Sequence, residues 1–395
     1  MIDWLALGPL LIFAILVALI FDFYNGLHDA ANSIATVVAT RALPVWAALI
    51  LASAANFVGA FWGLEVANTV GKIIPVEIVT VHMIIAALLG AIFWSVLTVI
   101  LGLPISSSHS LIGGLLGAAI AAAGFGAIDW PTGASMAPTW AVLWSGAWKG
   151  AILGLVVGLL ARKKNPLPYV FLGAWFVSAV YLVWAIFTES IKIPRLGATV
   201  LFIAYSPFIG FCLAFISGAL ITWVVYKAPA GKVKGVFRVL QIGSSAFYSL
   251  GHGRNDAQKT MGVIAALLIA GGVTAEFHVP REVIFASGAA IALGTILGGY
   301  KIVRTMGTKL THLDTRQGFI AETSSALGLH FMAEHGVPVS TTHSITGAIL
   351  GVGALQRISA VSWGTARRIV MAWIITIPLA AGVAAVCYWG LDFVL

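Results

Sequence analysis

Long apolar runs, each interrupted by a short polar or Gly/Pro-containing break, fill the chain from end to end. A membrane-spanning helix needs about 20 largely apolar residues, and roughly ten runs approach that length. The first extends from Leu5 to Tyr24, breaks at Asn25-Gly26 into the polar stretch GLHDAANS, and resumes over 34–40 until Arg41 and Pro44. Further spans are predicted near 45–63, 79–101, 140–160, 169–187, 197–226, 283–299 and 370–395. Three predicted helices are shorter or more polar: 111–123, 260–271 and 318–332, the last carrying Glu322. The helix at 111–123 covers about half a bilayer, as a re-entrant or broken segment does. Residues 64–77 read as a loop or interfacial piece, and 301–316 as a basic loop.

Composition narrows this to one class. The chain is 60% hydrophobic and 9% charged, with mean hydropathy +1.01, far from the roughly 25% charged residues of soluble domains. The runs are continuous rather than alternating, which excludes a transmembrane barrel. The net charge of +8 reports topology rather than nucleic-acid binding. Arg162 to Lys164 and the group Lys227, Lys232, Lys234 and Arg238 flank an out-and-back pair of spans, placing both clusters in the cytoplasm. Cys212 and Cys387 lie inside apolar runs and read as small packing residues. The N-terminus lacks the basic flank and cleavage site of a secretory signal peptide.

A repeated motif organises these spans. Pro104 to Gly117 reads PISSSHSLIGGLLG and Pro338 to Gly351 reads PVSTTHSITGAILG, identical at seven of fourteen positions. Upstream of each lies a second pair, GLHDAAN from Gly26 and GRNDAQK from Gly253, in the same order. Duplicated polar elements inside apolar sequence indicate an all-α polytopic membrane protein built from two inverted-topology repeats. Their broken or re-entrant helices would meet at a midplane site. The boundaries are 1–160 for the first repeat, 161–236 for connecting spans with basic cytoplasmic loops, and 237–395 for the second repeat.

The repeated elements carry complementary chemistry. Proline starts a helix, whose amino end has unpaired N–H groups and about half a positive charge. Ser106, Ser107 and Ser108, and Ser340, Thr341 and Thr342, add hydroxyl donors without net charge. Two such cradles facing each other suit a tetrahedral oxyanion; read singly, each is an ordinary N-cap with small-residue packing. Asp29 and Asp256 adjoin apolar helices, where a charge costs roughly 2.5–3.5 kcal/mol on insertion scales. Such acids bind a cation, carry a proton or pair with a base. Asn32, Asn255 and Gln258 add neutral oxygens of the kind that, with carboxylates, hold a hard cation such as sodium rather than zinc. A divalent oxyanion beside two carboxylates would gather about four negative charges in low dielectric, so cations or protons must enter with it. Lys259 and Arg254 supply positive charge in the second copy alone, and Glu322 is either a further coupling acid or half of an ion pair. His109 and His343, matched across the repeats, read as hydrogen-bond donors holding the hydroxyl loops, with anion contact or proton relay as alternatives. No HxxxH or HExxH spacing marks a metal centre.

GLHDAANSIATVVATRALP with SLGHGRNDAQKTMGV, and PISSSHS with PVSTTHS, resemble the paired motifs of the PiT family of inorganic phosphate transporters, over nearly the whole chain. The resemblance implies phosphate symport driven by sodium or protons, an inverted-repeat fold, no cofactor besides the coupling ion, and a homodimer in the cytoplasmic (inner) membrane. The substrate would be inorganic phosphate, free or complexed with a metal. It assigns binding to Asp29, Asn32, Ser106 to Ser108, Asn255, Asp256 and Ser340 to Thr342, with sodium at Asp29 and Asp256. His28 stands where the second copy has Asn255, so the two cation sites need not be equivalent. The long intracellular loop of some members is missing, which argues against a regulatory loop. A sulfate permease of the same fold is the alternative. An intramembrane hydrolase using Ser106 or Ser340 is disfavoured, since no G-x-S-x-G elbow occurs and catalysis needs no duplication.

Overall fold

The computed structural model describes residue 4 and residues 7–160, 167–188 and 195–394. The basic cluster Arg162 to Lys164 and positions 189–194 lie outside the described residues, so the positive-inside expectation there stays with the sequence. The first half comprises α1 (Pro9–Ala39), α2 (Val45–Gly59), α3 (Glu65–Val70), α4 (Val81–Leu101), α5 (Ser107–Ala123) and α6 (Gly133–Leu160). Then come α7 (Leu167–Phe187) and α8 (Arg195–Val225). The second half holds α9 (Ala230–Ala270), α10 (Arg281–Leu297), α11 (Tyr300–Thr308), α12 (Thr315–Glu334), α13 (Thr341–Gln356) and α14 (Trp363–Val394).

Local chemistry explains several boundaries. Thr80 caps α4 by accepting from the Met83 amide at 3.2 Å, and Gly102, at φ 68°, ends it. A reciprocal capping box between Asp314 and Gln317 starts α12. Among the described residues, α1, α4, α8 and α14 are long and apolar enough to cross a membrane, and α10 with α11, bent by 72°, forms a broken span or a re-entrant loop. The helices α2, α5 and α13 have only 15, 17 and 16 residues, and α9 carries a polar stripe.

Two expectations are corrected. The break predicted at Asn25-Gly26 does not occur: α1 is one helix of 31 residues, and α9 runs unbroken for 41 residues through GRNDAQK. Gly26 and Gly253 are sites of close approach rather than breaks. A β-carbon at Gly26 would strike the Ile291 carbonyl in α10, and one at Gly253 the Asn56 carbonyl in α2. The chain breaks instead before each Ser/Thr element, where α4 gives way to α5 and α12 to α13. The predicted basic loop at 301–316 also contains α11.

Contacts along α1 and α9 fix their relative direction. Thr40 donates to Gln241 at 2.8 Å, Ser245 to the Ser33 carbonyl at 3.0 Å, and His252 lies 3.7 Å from Asp29. Residue numbers fall on one helix as they rise on the other, so the two motif-bearing helices are antiparallel. Each hydroxyl-bearing helix is backed by an outer helix: α5 lies against α4 and α14, and α13 against α12 and α8. Small residues allow these contacts, as in membrane helix packing generally. Gly113 faces the Ile377 carbonyl of α14, and Gly347 faces Pro207 of α8.

Candidate functional site

Asp22, Asn25, Asp29, Asn32 and Thr36 recur every three or four residues along α1, on one helical face. The facing stripe on α9 comprises Gln241, Ser244, Ser245, Tyr248, His252, Asp256 and Lys259. All of them are buried. These residues turn toward each other, which removes them from lipid and keeps both helices intact.

Asp29 and Asp256 meet at the middle of this seam. One ligand atom each from Asp29, His252 and Asp256 lies within 4.8 Å of the others. Asp29 accepts from His28 Nδ1 at 2.8 Å, Ser107 Oγ at 3.2 Å, Thr341 Oγ1 at 3.2 Å and Thr342 Oγ1 at 3.5 Å. Thr341 Oγ1 also lies 3.1 Å from Asp256. A hydroxyl carries one proton, so Thr341 can donate to only one carboxylate at a time. Asn32 donates to Thr342 Oγ1 at 2.8 Å. The hydroxyls of both helix starts are therefore bonded to the carboxylates of the other motif pair.

Lys259 ties the two hydroxyl turns together. Its Nζ donates to Asp256, to Ser108 Oγ at 2.5 Å and to the Val339 carbonyl at 3.0 Å. Three bonds use all three ammonium protons. Ser106 and Ser340 act as N-caps, accepting from the His109 and His343 amides at 3.3 and 3.2 Å. The first amides of α5 and α13 remain outside the intrahelical ladder. Asn255 is buried beside Asp256 with neither amide atom bonded.

His252 is oriented by a chain of bonds. Thr295 donates to the Ile291 carbonyl at 2.8 Å and so accepts from Asn56 Nδ2 at 2.8 Å. Asn56 Oδ1 then faces His252 Nδ1 at 3.1 Å. That leaves Nε2 between the carboxylates, 3.0 Å from Asp256 and 3.7 Å from Asp29.

One expected residue does other work. Gln258 is not brought to the carboxylates. Its carbonyl accepts from the Val66 and Ala67 amides at 2.9 and 3.3 Å, and its amide donates to the Trp62 and Gly63 carbonyls at 3.1 and 3.0 Å. It therefore caps α3, the opposite side of α9 from Asp256. The rings of His109 and His343 support their turns from outside, without bonding the hydroxyls. Their Nδ1 atoms reach the Trp373 carbonyl of α14 at 3.3 Å and the Ile203 carbonyl of α8 at 3.0 Å, and the rings meet edge to face at 4.5 Å. They pin the two helix starts to their outer helices and to each other.

Glu322 occupies a separate level, accepting from Thr36 and Ser244, with Gln241 at 3.4 Å. Thr36 is seven residues from Asp29, about 10 Å along the helix. Arg254 pairs with Glu334 and stands 3.7 Å from Glu65, over the Trp62 ring at 5.3 Å. It therefore serves the periphery, not the centre. Sequence reasoning missed Asp22, whose signal was its place seven residues before Asp29. It also missed Tyr248, which donates to the Thr341 carbonyl at 3.1 Å.

Comparison with known proteins completes the description. The model of the phosphate transporter family matches residues 25–384. A protein of Rhizobium meliloti named "Probable low-affinity inorganic phosphate transporter" is 45% identical over 98% of both chains. A Bacillus subtilis protein of the same name is 36% identical, again over 98% of each. A solved structure titled "The sodium-dependent phosphate transporter" is 28% identical and matches with TM-score 0.70, covering 98% of this chain and 100% of that one. These names give the sulfate alternative no support.

Proposed function

Since the chain belongs to the phosphate transporter family and is a membrane protein rather than an enzyme, we propose that it imports inorganic phosphate across the cytoplasmic (inner) membrane by symport with sodium ions or protons. The observation that carries this reading is the sharing of hydroxyls: donors of both Ser/Thr helix starts are directed to Asp29 and Asp256. Phosphate oxygens would need those same protons. A cation on the carboxylates would weaken their hold on the hydroxyls and release them to the anion, so each ligand would prepare the site for the other. Ser106 to Ser108, Ser340, Thr341, Thr342 and Asn255 would hold the phosphate, and Asp29, Asn32 and Asp256 the cation.

Charge supports the same conclusion. The fixed charges at this level are two carboxylates and the Lys259 ammonium, besides any proton held at His252 Nε2. Phosphate adds one or two negative charges. Like charges 4 Å apart repel by about 4 kcal/mol at an effective dielectric of 20, so uncompensated binding is disfavoured by several kcal/mol. Sodium at Asp29 or a proton at His252 would remove that penalty, and the solved neighbour's title favours sodium. Glu322, ringed by hydroxyl and amide donors, would be a relay for the coupling ion on the side of Lys227 to Arg238.

We read residues 1–160 and 237–395 as two repeats of inverted topology joined by 161–236. The antiparallel α1 and α9, which bear the same motif, support that reading. The protein would work as a homodimer on phosphate, free or metal-complexed. Labelled phosphate uptake into proteoliposomes tests the proposal. Accumulation driven by an inward sodium or proton gradient is expected, and its absence under both gradients refutes it.

A further inference from the structure

Asp22 takes no part in the arrangement above. It sits on α1 two turns before Asp29, about 10 Å along the axis, at the end of the seam away from Glu322. Its side chain is fully buried, and neither carboxylate oxygen has a hydrogen-bond partner. Burial of an unsatisfied ionised carboxylate is among the costliest arrangements in a protein interior. A residue held that way calls for a proton or a cation.

The neighbours of Asp22 are of one chemical kind. Thr260 of α9 and Asn25, one turn along α1, face its carboxylate. Both are buried, and Thr260 Oγ1 and Asn25 Oδ1 also have no hydrogen-bond partner. The carboxylate oxygens thus stand beside the Thr260 hydroxyl and the Asn25 side-chain amide, and neither of them is held in a well-formed hydrogen bond. The charged groups that act on Asp22 from the next level include Asp256 and His252. Oxygens around a hard cation stand about 2.3–2.6 Å from the ion. That spacing keeps neighbouring ligands farther apart than hydrogen-bond partners. Zinc and copper would demand nitrogen or sulfur ligands, which this level lacks.

We propose that Asp22, Asn25 and Thr260 form a further sodium site, distinct from Asp29 and Asp256, which loads a coupling ion at the end of the α1–α9 seam remote from Glu322. The sodium-binding claim stands on the oxygens alone, whereas the coupling role rests on the symport reading above. The site belongs to one copy of the repeat: the motif offset places Ser249, not an acid, opposite Asp22.

The test is equilibrium binding of labelled sodium to the purified full-length protein in detergent, without phosphate, beside phosphate uptake in proteoliposomes. Asp22→Asn is expected to bind one sodium fewer per chain at saturation, and to keep phosphate exchange while losing sodium-driven accumulation. Thr260→Val preserves the carboxylate and the shape, and is expected to weaken sodium binding at this site about tenfold, the loss of one ligand worth about 1.4 kcal/mol. Unchanged sodium stoichiometry in Asp22→Asn overturns the proposal. Should that variant misfold, unchanged sodium affinity in Thr260→Val overturns it equally. Wild-type protein that binds no sodium while accumulating phosphate on a proton gradient overturns the sodium assignment. If wild type fails to accumulate phosphate yet Asp22→Asn still binds one ion fewer, the symport reading fails and the site stands.

Discussion

Replacing Lys259 tests whether a side chain of the protein stands in for a mobile cation. By the offset between the two motifs, Lys259 occupies the position of Asn32. Its ammonium has the partners a bound cation would have: the Asp256 carboxylate, the Ser108 hydroxyl and the Val339 carbonyl. Lys259→Met keeps the apolar stem and removes the charge. Asp256 would retain Thr341 at 3.1 Å and His252 at 3.0 Å, but no fixed counter-charge. Breaking a buried pair from one side costs about 3–5 kcal/mol, equivalent to roughly 10²–10³-fold or more in an equilibrium constant. Sodium entering beside Asp256 would restore part of that loss. The expected result is a melting temperature in detergent well below wild type without sodium, rising with sodium concentration more steeply than in wild type, as ligand linkage requires. Lys259→Asn, which installs the residue of the first copy, should behave likewise and make uptake depend on one more sodium. A Lys259→Asn protein whose melting temperature and uptake follow sodium as wild type does would refute the reasoning.

Four further outcomes are expected. Asp256→Asn leaves Lys259 without its carboxylate and should abolish gradient-driven uptake while membrane insertion and monodisperse elution persist; retained uptake would count against the carboxylate. Ser340→Ala with Thr341→Val removes an N-cap worth about 1 kcal/mol and a hydroxyl bonded to charge worth about 1.5–3 kcal/mol. The half-saturation concentration for phosphate should rise at least tenfold, and an unchanged value would place the cradle elsewhere. Glu322→Gln keeps the shape of the acceptor for Thr36 and Ser244, so phosphate exchange should survive and accumulation fall; equal loss of both would make Glu322 structural. Gly347→Ala pushes a β-carbon into the Pro207 carbonyl and should destabilise by about 1–3 kcal/mol. Gly231→Ala has open space and should gain about 0.5–1 kcal/mol of helix propensity; thermal unfolding of both in detergent checks the contrast.

Duplication made the centre of the site legible. A single PISSSHS is an ordinary helix start, but a second copy at Pro338, each following an Asp in an apolar run, pointed to one shared site. Asp29 and Asp256 duly lie together, reached by Ser107, Thr341 and Thr342. The break at Asn25-Gly26 was misread because polarity inside an apolar run resembles an interruption. Period and partner decide the matter: Asp22, Asn25, Asp29, Asn32 and Thr36 keep helical spacing and face an equally polar α9. Gln258 could have been set aside from spacing alone, since two residues apart on a helix point to different faces. The bonds of His109 and His343 to α14 and α8 had no signal in sequence. They depend on which outer helix backs each cradle, a long-range choice that no local pattern encodes.

The two copies differ where a symmetric transporter would be identical, and the differences have one direction. Asp256 has a tethered ammonium. Asp29 has the His28 imidazole and three hydroxyls, with His252 shared with Asp256, and none of these bears a permanent positive charge. If both acids stay ionised when phosphate binds, Asp29 is the one that requires an ion from solution. The unpartnered acid Asp22 lies on the same helix as Asp29, two turns away. An ion loaded there is already on the helix whose central carboxylate lacks a counter-charge, while α9 brings its own. On this argument α1 serves the mobile ion and α9 supplies the fixed one. The substitutions at Lys259 and Asp22 should therefore shift the number of sodium ions bound per chain in opposite directions.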